Sequence, residues 1–205
     1  MERSALINKI KTRIDEVCGS GDVIVEIGVE NTKPYDSIID ELLDESALEI
    51  LLKAPFYLLD ITEDAELTVV QDKNDKNIGT IELPYDFVRL VSFKMKDWQQ
   101  PVTSFAMPGD TVAVKQSNKY LRGGTAKPVA VLRKLSTGYI ASYYSVKESH
   151  EIEEFLYIAK DKVENITDSQ AIDAMCWICA GKTLGVLGQH NLANQCYDNA
   201  KGLMM

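Results

Sequence analysis

Histidine and cysteine are scarce in this chain of 205 residues, which has two histidines and four cysteines. Cysteines so few and so scattered exclude a secreted disulfide scaffold, so we expect a cytosolic chain with reduced thiols. Long apolar runs are also missing, which argues against a membrane span. The first residues, MERSAL, lack a basic region followed by an apolar run, and we therefore expect no signal peptide.

Positive charge is also in short supply, with 22 basic against 31 acidic residues and a net charge of −9. Surfaces that grip nucleic acid need clustered Lys and Arg to neutralise phosphates, and this composition argues against one. An acidic wall suits a protein that DNA must pass without sticking. The simpler alternative is that the charge only keeps the chain soluble.

Apolar residues at steps of three and four predict helices at both ends of the chain. They cover residues 4–17, a region from Pro34 to Pro55, residues 171–187 and residues 192–203. We expect Asp44-Glu45-Ser46 to break the second helical region and Thr167-Asp168-Ser169 to cap the third. Residues 22–29 alternate apolar and polar side chains, which indicates an extended stretch or a loop.

The middle of the chain has the patterns of strands. A polar loop at residues 72–77 separates two short β-rich runs, and further runs follow at 87–95, 129–132, 140–146 and 152–158. The sequence therefore predicts an α+β fold, in which the N- and C-terminal helices form a helical bundle with a central β-rich insertion. The expected boundaries are 1–60 for the N-terminal helices, 61–160 for the insertion and 161–205 for the C-terminal helices.

Two strings in the C-terminal helical region look like motifs. Cys176 and Cys179 form a CxxC, but they lie inside a predicted helix, and zinc would need two further ligands. Gly181-Lys182-Thr183 resembles the end of a P-loop but lacks the loop between strand and helix. We expect two buried structural cysteines without metal or disulfide. The glycines Gly181, Gly185 and Gly188 would allow another helix to approach closely.

Catalytic patterns are not evident in the rest of the chain. His150 and His190 have no Ser/His/Asp-like spacing around them, and we expect His150 to be exposed at a turn. Carboxylate pairs such as Asp40/Glu41 and Glu153/Glu154 are typical of solvated helix or strand faces. We therefore expect no catalytic residue, no cofactor and no metal, and hence a protein that is not an enzyme.

One cluster combines basic and aromatic side chains. Lys115, Lys119 and Arg122 surround Tyr120, which predicts either a contact with the DNA backbone or an acidic partner, or else an ordinary loop. At the C-terminal end, Leu203, Met204 and Met205 are apolar, and methionine adapts its shape to a partner. We expect these three residues to form an interaction element, or alternatively to fold back onto their own domain.

The stretch from Leu83 to Met95, LPYDFVRLVSFKM, runs into Trp98 and Pro101-Val102. It resembles the "LPxDFxRLVSxKxxxWxRPV" stretch of the head–tail connector, or neck ring adaptor, proteins of tailed phages. The later strings NKYLRG at 118–123 and KPVA at 127–130 look like its continuation in crAss-like phage members. The similarity covers roughly residues 83–146, and Gln100 stands where the family has a basic residue.

This resemblance implies an α+β ring subunit in twelve copies, located in the virion neck between portal and tail and in the host cytoplasm during assembly. It also implies that Leu203, Met204 and Met205 contact the portal or a neighbouring ring subunit. Its partners would be copies of itself, the portal protein and other neck or tail ring proteins, with DNA passing through the lumen without sequence-specific binding.

Independently of the resemblance, the apolar run predicts that Phe87, Leu90, Val91 and Trp98 pack inside the β region. The rival classes are a cytosolic hydrolase with a nonstandard carboxylate site and a binding module.

Overall fold

The chain divides into two compact units. The computed structural model describes residues 1–19, 33–63, 67–136 and 138–205. Met1–Asp60 and Lys160–Met205 form one unit, which we call the helical unit, and Ile61–Ala159 form the other, the β-rich unit. Within the described residues there are five α-helices and two antiparallel sheets, so the fold is α+β. The stretch 22–29, predicted to be extended or a loop, lies outside the described residues.

The helical unit contains four of these helices and two short 3₁₀ turns. The helices are α1 (Arg3–Cys18), α2 (Lys33–Lys53), α4 (Ser169–Val186) and α5 (His190–Leu203), and the 3₁₀ turns are Phe56–Leu58 and Val163–Asn165. Helix α1 buries Leu6, Ile10 and Ile14, one residue per turn. It ends before Gly19, whose φ of 68° is in the left-handed region that glycine adopts without strain.

Helix α2 is continuous, so the predicted break at Asp44-Glu45-Ser46 is wrong. The Ser46 hydroxyl is buried and donates a hydrogen bond of 2.8 Å to the carbonyl oxygen of Leu42, four residues earlier. This bond satisfies the serine inside the helix, and the apolar positions Leu43 and Ala47 continue the buried face past it. The helix ends at Lys53, as the following Pro55 predicted.

Helix α4 is the centre of the helical unit. Twelve of its 18 residues are buried, and it packs against α1, α2 and α5. Asp168 caps its first turn by accepting a 2.8 Å hydrogen bond from the backbone N–H of Ala171, which confirms the predicted capping cluster. A helix that is apolar on all sides must be surrounded by protein, and the helices from both ends of the chain supply that cover.

The three glycines near the end of α4 do not act together. A Cβ on Gly181 would lie 2.9 Å from the Tyr197 ring of α5, so this glycine does permit the close approach of a helix. A Cβ on Gly185 would meet nothing within 4 Å, and Gly188 adopts φ 78° in the turn between α4 and α5. The prediction is therefore right for Gly181 and wrong for the other two.

The β-rich unit pairs its strands into two sheets. The strands are β1 (Val69–Gln71), β2 (Ile78–Glu82), β3 (Phe87–Met95), β4 (Ala130–Leu135), β5 (Gly138–Tyr144) and β6 (Ile152–Ala159). The first sheet has the order β1-β2-β5-β4, and the second pairs β3 with β6. The polar loop between β1 and β2 is the predicted hairpin connection, with Val70 opposite Thr80.

The two sheets share one apolar core, centred on Phe93. Its ring lies edge-on to Trp98 at 5.1 Å and to Phe155 at 5.9 Å between centroids. Leu90 and Trp98 are buried as predicted, and Phe87 packs against the cluster from its edge. Val91 is only half-buried and lies outside the core, because the pairing of β3 with β6 shifts register between Leu90 and Ser92.

Tyr143 is fully buried in this core and lies over a glycine of the neighbouring strand. Gly79 is its partner in the β2–β5 register, and a Cβ on Gly79 would lie 2.1 Å from the Tyr143 Oη. The strand pair therefore accommodates the aromatic ring only because position 79 has no side chain. Burial raises the pKa of Tyr143 to about 12.

Candidate functional site

The predicted basic cluster lies on a segment that crosses the first sheet of the β-rich unit. Helix α3 (Thr111–Gln116) belongs to this segment, and no pattern in the sequence predicts it. The Asp110 carboxylate accepts a 2.7 Å hydrogen bond from the Met107 N–H and closes the turn before the helix. Ala113 of α3 packs against Val131 and Tyr144, which fixes the helix on the sheet.

Arg122 attaches the segment to the β1–β2 loop. Its Nη1 donates to Asp75 Oδ2 at 2.7 Å, its Nε donates to the Gln116 carbonyl oxygen at 2.8 Å, and its guanidinium lies 5.7 Å from the Tyr144 ring centroid. Only 10% of its side chain is exposed. Its hydrogen bond to Asp75 holds the pKa of that carboxyl below its usual range. Two of the five N–H donors of Arg122 are therefore used within the fold, and its guanidinium also lies against an aromatic ring.

Lys115, Lys119 and Tyr120 point outward instead. The Lys119 ammonium lies 5.1 Å from the Tyr120 ring centroid, and 83% of Tyr120 is exposed. Lys115 lies in the last turn of α3 and is exposed as well. The structure thus separates the predicted cluster into one structural arginine and two lysines that are free to meet a partner together with an aromatic ring.

Two shallow depressions meet at Arg122. One has a volume of about 300 Å³ and is lined by Asp75, Asn77, Lys119 and Lys147 among others. The other has a volume of about 550 Å³ and extends over the sheet past Arg133. Each contains more basic than acidic side chains, so the surface on both sides of Arg122 favours carboxylate or phosphate groups over cations.

The C-terminal residues are attached to the helical unit by their backbone. The Leu203 carbonyl oxygen accepts a hydrogen bond from Gln170 Nε2, and the Met205 carbonyl oxygen accepts one of 3.4 Å from the Tyr57 hydroxyl. Leu203 and Met204 are half-buried, whereas 80% of Met205 and 70% of Tyr57 are exposed. The backbone of the predicted interaction element thus folds back onto its own unit, and its last side chain stays on the surface beside a tyrosine.

His150 is half-buried and hydrogen-bonded, contrary to its predicted exposure at a turn. Its Nε2 lies 2.9 Å from the Lys76 carbonyl oxygen, and its Nδ1 lies 2.6 Å from the Tyr143 hydroxyl. A carbonyl only accepts, so a neutral imidazole carries its proton on Nε2 and accepts from Tyr143 at Nδ1. This arrangement satisfies a buried hydroxyl and fixes the strand β5 to the hairpin loop.

Several carboxylates of the β-rich unit also have structural partners. Asp97 Oδ2 accepts backbone N–H hydrogen bonds from Lys147, Glu148 and Ser149 at 2.7–3.0 Å, which shapes the connection between β5 and β6. These bonds, the one from Glu148 foremost, lower the pKa of Asp97. Glu154 accepts a hydrogen bond from Ser92 across the second sheet. Asp97 and Glu154 thus each hold two parts of the β-rich unit together.

The cysteines of the CxxC are buried on α4 as predicted. Both are free thiols, and burial raises the pKa of Cys176 to about 12 and that of Cys179 to about 11. The Cys179 Sγ lies 3.7 Å from the Ile39 carbonyl oxygen, a contact between α4 and α2. Throughout the part of the chain that the structure describes, no three His, Cys, Asp or Glu side chains are grouped to hold a metal ion.

None of the described helices is both long and apolar enough to cross a membrane. Neither a protein-family model nor a curated protein matches this chain.

The segment that carries the basic cluster also exposes large apolar side chains, which the sequence pattern did not predict. Five large apolar side chains are exposed there, at Met107, Val112, Val114, Tyr120 and Leu121. Their spacing follows neither a helical nor a strand period, so only the position of α3 on the sheet shows that they face outward. We call residues 105–128, which contain these side chains and the basic cluster, the basic–apolar segment.

Proposed function

We propose that this chain is a structural subunit of a phage neck, a head–tail connector ring that joins the portal to the tail and extends the DNA channel. The observation that carries the proposal is the exposure of large apolar side chains on both units. Residues 107–121 provide one exposed group, and Tyr57 with Met205 provides another. Exposed apolar groups of this kind are typical of surfaces that are covered in an assembly.

The residues that carry the resemblance to connector proteins support the same proposal through the fold. Leu83, Leu90, Phe93 and Trp98 of that stretch all belong to the buried core of the β-rich unit. A sequence pattern that builds a core is informative about the fold that it stabilises. We therefore propose the finer architecture as well, in which the helical unit is a bundle and the β-rich unit is its insertion.

The proposed partners are further copies of the chain in a ring of about twelve, as the resemblance implies, the portal protein and neighbouring neck or tail rings. DNA would pass through the lumen without sequence-specific binding, which suits the net charge of −9 because like charges repel. The proposed location is the virion neck, and the host cytoplasm during assembly. No enzymatic activity is part of the proposal.

The hydrolase alternative has less support from the geometry. Three carboxylates of the β-rich unit have structural partners: Asp75 bonds to Arg122, Asp97 to three backbone N–H groups, and Glu154 to Ser92. General acids and bases must reach a substrate, and a carboxylate that holds part of the fold together must exchange a partner to do so.

Co-expression with the portal protein of the same phage tests the proposal. We expect the two proteins to co-elute as one particle whose mass, by native mass spectrometry, equals a portal ring plus an integral number of copies of this chain. Mass spectrometry of purified virions should detect the chain as well. A chain that is missing from virions and does not bind the portal would refute the proposal.

A further inference from the structure

The basic–apolar segment and the remainder of the chain differ in charge. The segment contains Lys115, Lys119, Arg122 and Lys127 but only one acidic residue, Asp110, so its net charge is +3. The β-rich unit as a whole has 12 basic and 13 acidic residues, a net charge of −1, whereas the helical unit has 10 basic and 18 acidic residues, a net charge of −8. Nearly all of the acidic excess is therefore on the helical unit.

One face of α2 has the complementary composition. Glu41, Glu45, Leu48 and Leu52 follow one another at steps of four, three and four residues, so they lie along one side of the helix. The first half of this stripe is acidic and the second half is apolar. We call these four residues the α2 stripe, and all of them except the half-buried Leu48 are exposed.

Neighbouring groups extend both halves of the stripe. Asp40 and Asp44 both bond to the single Arg3, which leaves an excess of negative charge beside Glu41. The 3₁₀ turn that follows α2 exposes Phe56 and Tyr57 after the apolar half. The surface thus has an acidic and an apolar part next to each other, as the basic–apolar segment has a basic and an apolar part.

We propose that the basic–apolar segment of one copy docks on the α2 stripe of a second copy. This inference rests on the proposed function only in assuming that copies of the chain meet. Lys115 and Lys119 would face the acidic half, and the exposed side chains around Tyr120 would cover the apolar half. Because two different surfaces meet, the contact is heterologous and repeats from copy to copy, which generates a ring when the rotation closes.

A duplex DNA is the less suitable occupant of the segment. Phosphates would pair with the lysines, but Val112, Val114 and Leu121 would gain nothing from a phosphate backbone. An acidic and apolar protein surface satisfies both kinds of side chain.

Charge reversal in two matched variants tests the contact. The first variant is Lys115→Glu/Lys119→Glu, which makes the segment acidic, and the second is Glu41→Lys/Glu45→Lys, which makes the stripe basic. Each variant alone brings like charges together, so self-association measured by sedimentation should weaken by roughly 10-fold to 100-fold. Mixing the two variants in equal amounts should restore association, because every contact in an alternating assembly then joins opposite charges.

Controls separate this contact from general effects of charge and stability. Lys73→Glu/Lys134→Glu changes the net charge by the same amount at exposed positions outside the segment and should leave association unchanged. Glu45 bonds to Lys182, and the double stripe variant removes that ion pair. If the double variant melts at a lower temperature than the wild type, the single variant Glu41→Lys, at an exposed position, replaces it in the test. Association of the wild type should fall as salt rises from about 0.05 M to about 0.5 M.

Each remaining outcome overturns the inference. A wild type that stays monomeric at all concentrations and low salt, a mixture that fails to associate, or an equal loss in the Lys73/Lys134 control would refute the contact. The same holds if Lys115→Glu/Lys119→Glu loses binding to a duplex DNA but keeps self-association. Portal binding by the wild type is measured separately, so failure of the neck proposal is distinguished from failure of this contact.

Discussion

The Gly79→Ala substitution should markedly lower the melting temperature of the β-rich unit relative to the wild type. The added Cβ would lie 2.1 Å from Tyr143 Oη and 2.4 Å from its Cζ, so the ring could not keep its place. Tyr143 is fully buried and lies edge-on to Phe93 and Trp98, so moving it disturbs the centre of the core. Overpacking of this kind costs about 3 kcal/mol, near the upper end of the usual range.

In a unit of this size such a loss lowers the melting temperature by roughly 10–20 °C, which circular dichroism or calorimetry would measure. Gly109→Ala is the matched control, because a Cβ there meets nothing within 4 Å, and we expect a change below about 0.5 kcal/mol. In a Tyr143→Leu background the same Gly79→Ala change should cost less than about 1 kcal/mol, since the ring is gone. Equal stability of Gly79→Ala and Gly109→Ala would refute the reasoning.

Four further outcomes are expected. Trp98→Ala should cost about 3–5 kcal/mol, because the indole is buried in the core, and an unchanged melting temperature would contradict this. The pKa of Asp97 is lowered in the fold, so its carboxylate stabilises the protein above its unfolded pKa of about 3.9, and this stabilisation is lost as pH falls through the folded pKa. Asp97→Asn lacks this titration, and below about pH 4 its stability should therefore fall less than that of the wild type. Acid titrations monitored by fluorescence would measure the difference. At pH 8 an alkylating reagent should modify the half-buried Cys18 first and reach Cys176 only on unfolding, as mass spectrometry of the labelled protein would show. Deleting Gly202–Met205 removes two backbone acceptors and should lower stability by about 1 kcal/mol in thermal melts; an unchanged melting temperature together with lost portal binding would instead favour docking of the tail on the portal.

Elements with a strong local period could be predicted from the sequence, and elements fixed by distant contacts could not. Leu6, Ile10 and Ile14 repeat at the helical period, so α1 was evident from spacing alone. Helix α3 has only six residues and depends on Ala113 packing against strands that lie later in the chain. Such a helix has too few internal hydrogen bonds to form by itself, and no local pattern announces it.

The residues of the candidate site likewise divide into those that a local sequence pattern reveals and those whose role depends on distant contacts. Its basic residues were evident from composition, but the different fates of Arg122 and Lys119 depend on Asp75, which lies 47 residues before Arg122. The pairing of Gly79 with Tyr143 likewise requires the strand register, which neither residue reveals. Exposed apolar residues such as Val114 also look like core residues until the surrounding fold is known.

The division of the helical unit between the two ends of the chain affects how the protein is made. Helix α4, which covers the apolar faces of α1 and α2, begins at Ser169, whereas α2 ends at Lys53. At 5–20 residues per second, a ribosome needs roughly 6–23 s to synthesise the intervening residues. During this interval the nascent chain presents Ile10, Ile39 and other future core residues without their cover. The β-rich unit, whose residues are contiguous, is complete first, so the nascent N-terminal helices are the part that most needs protection by chaperones.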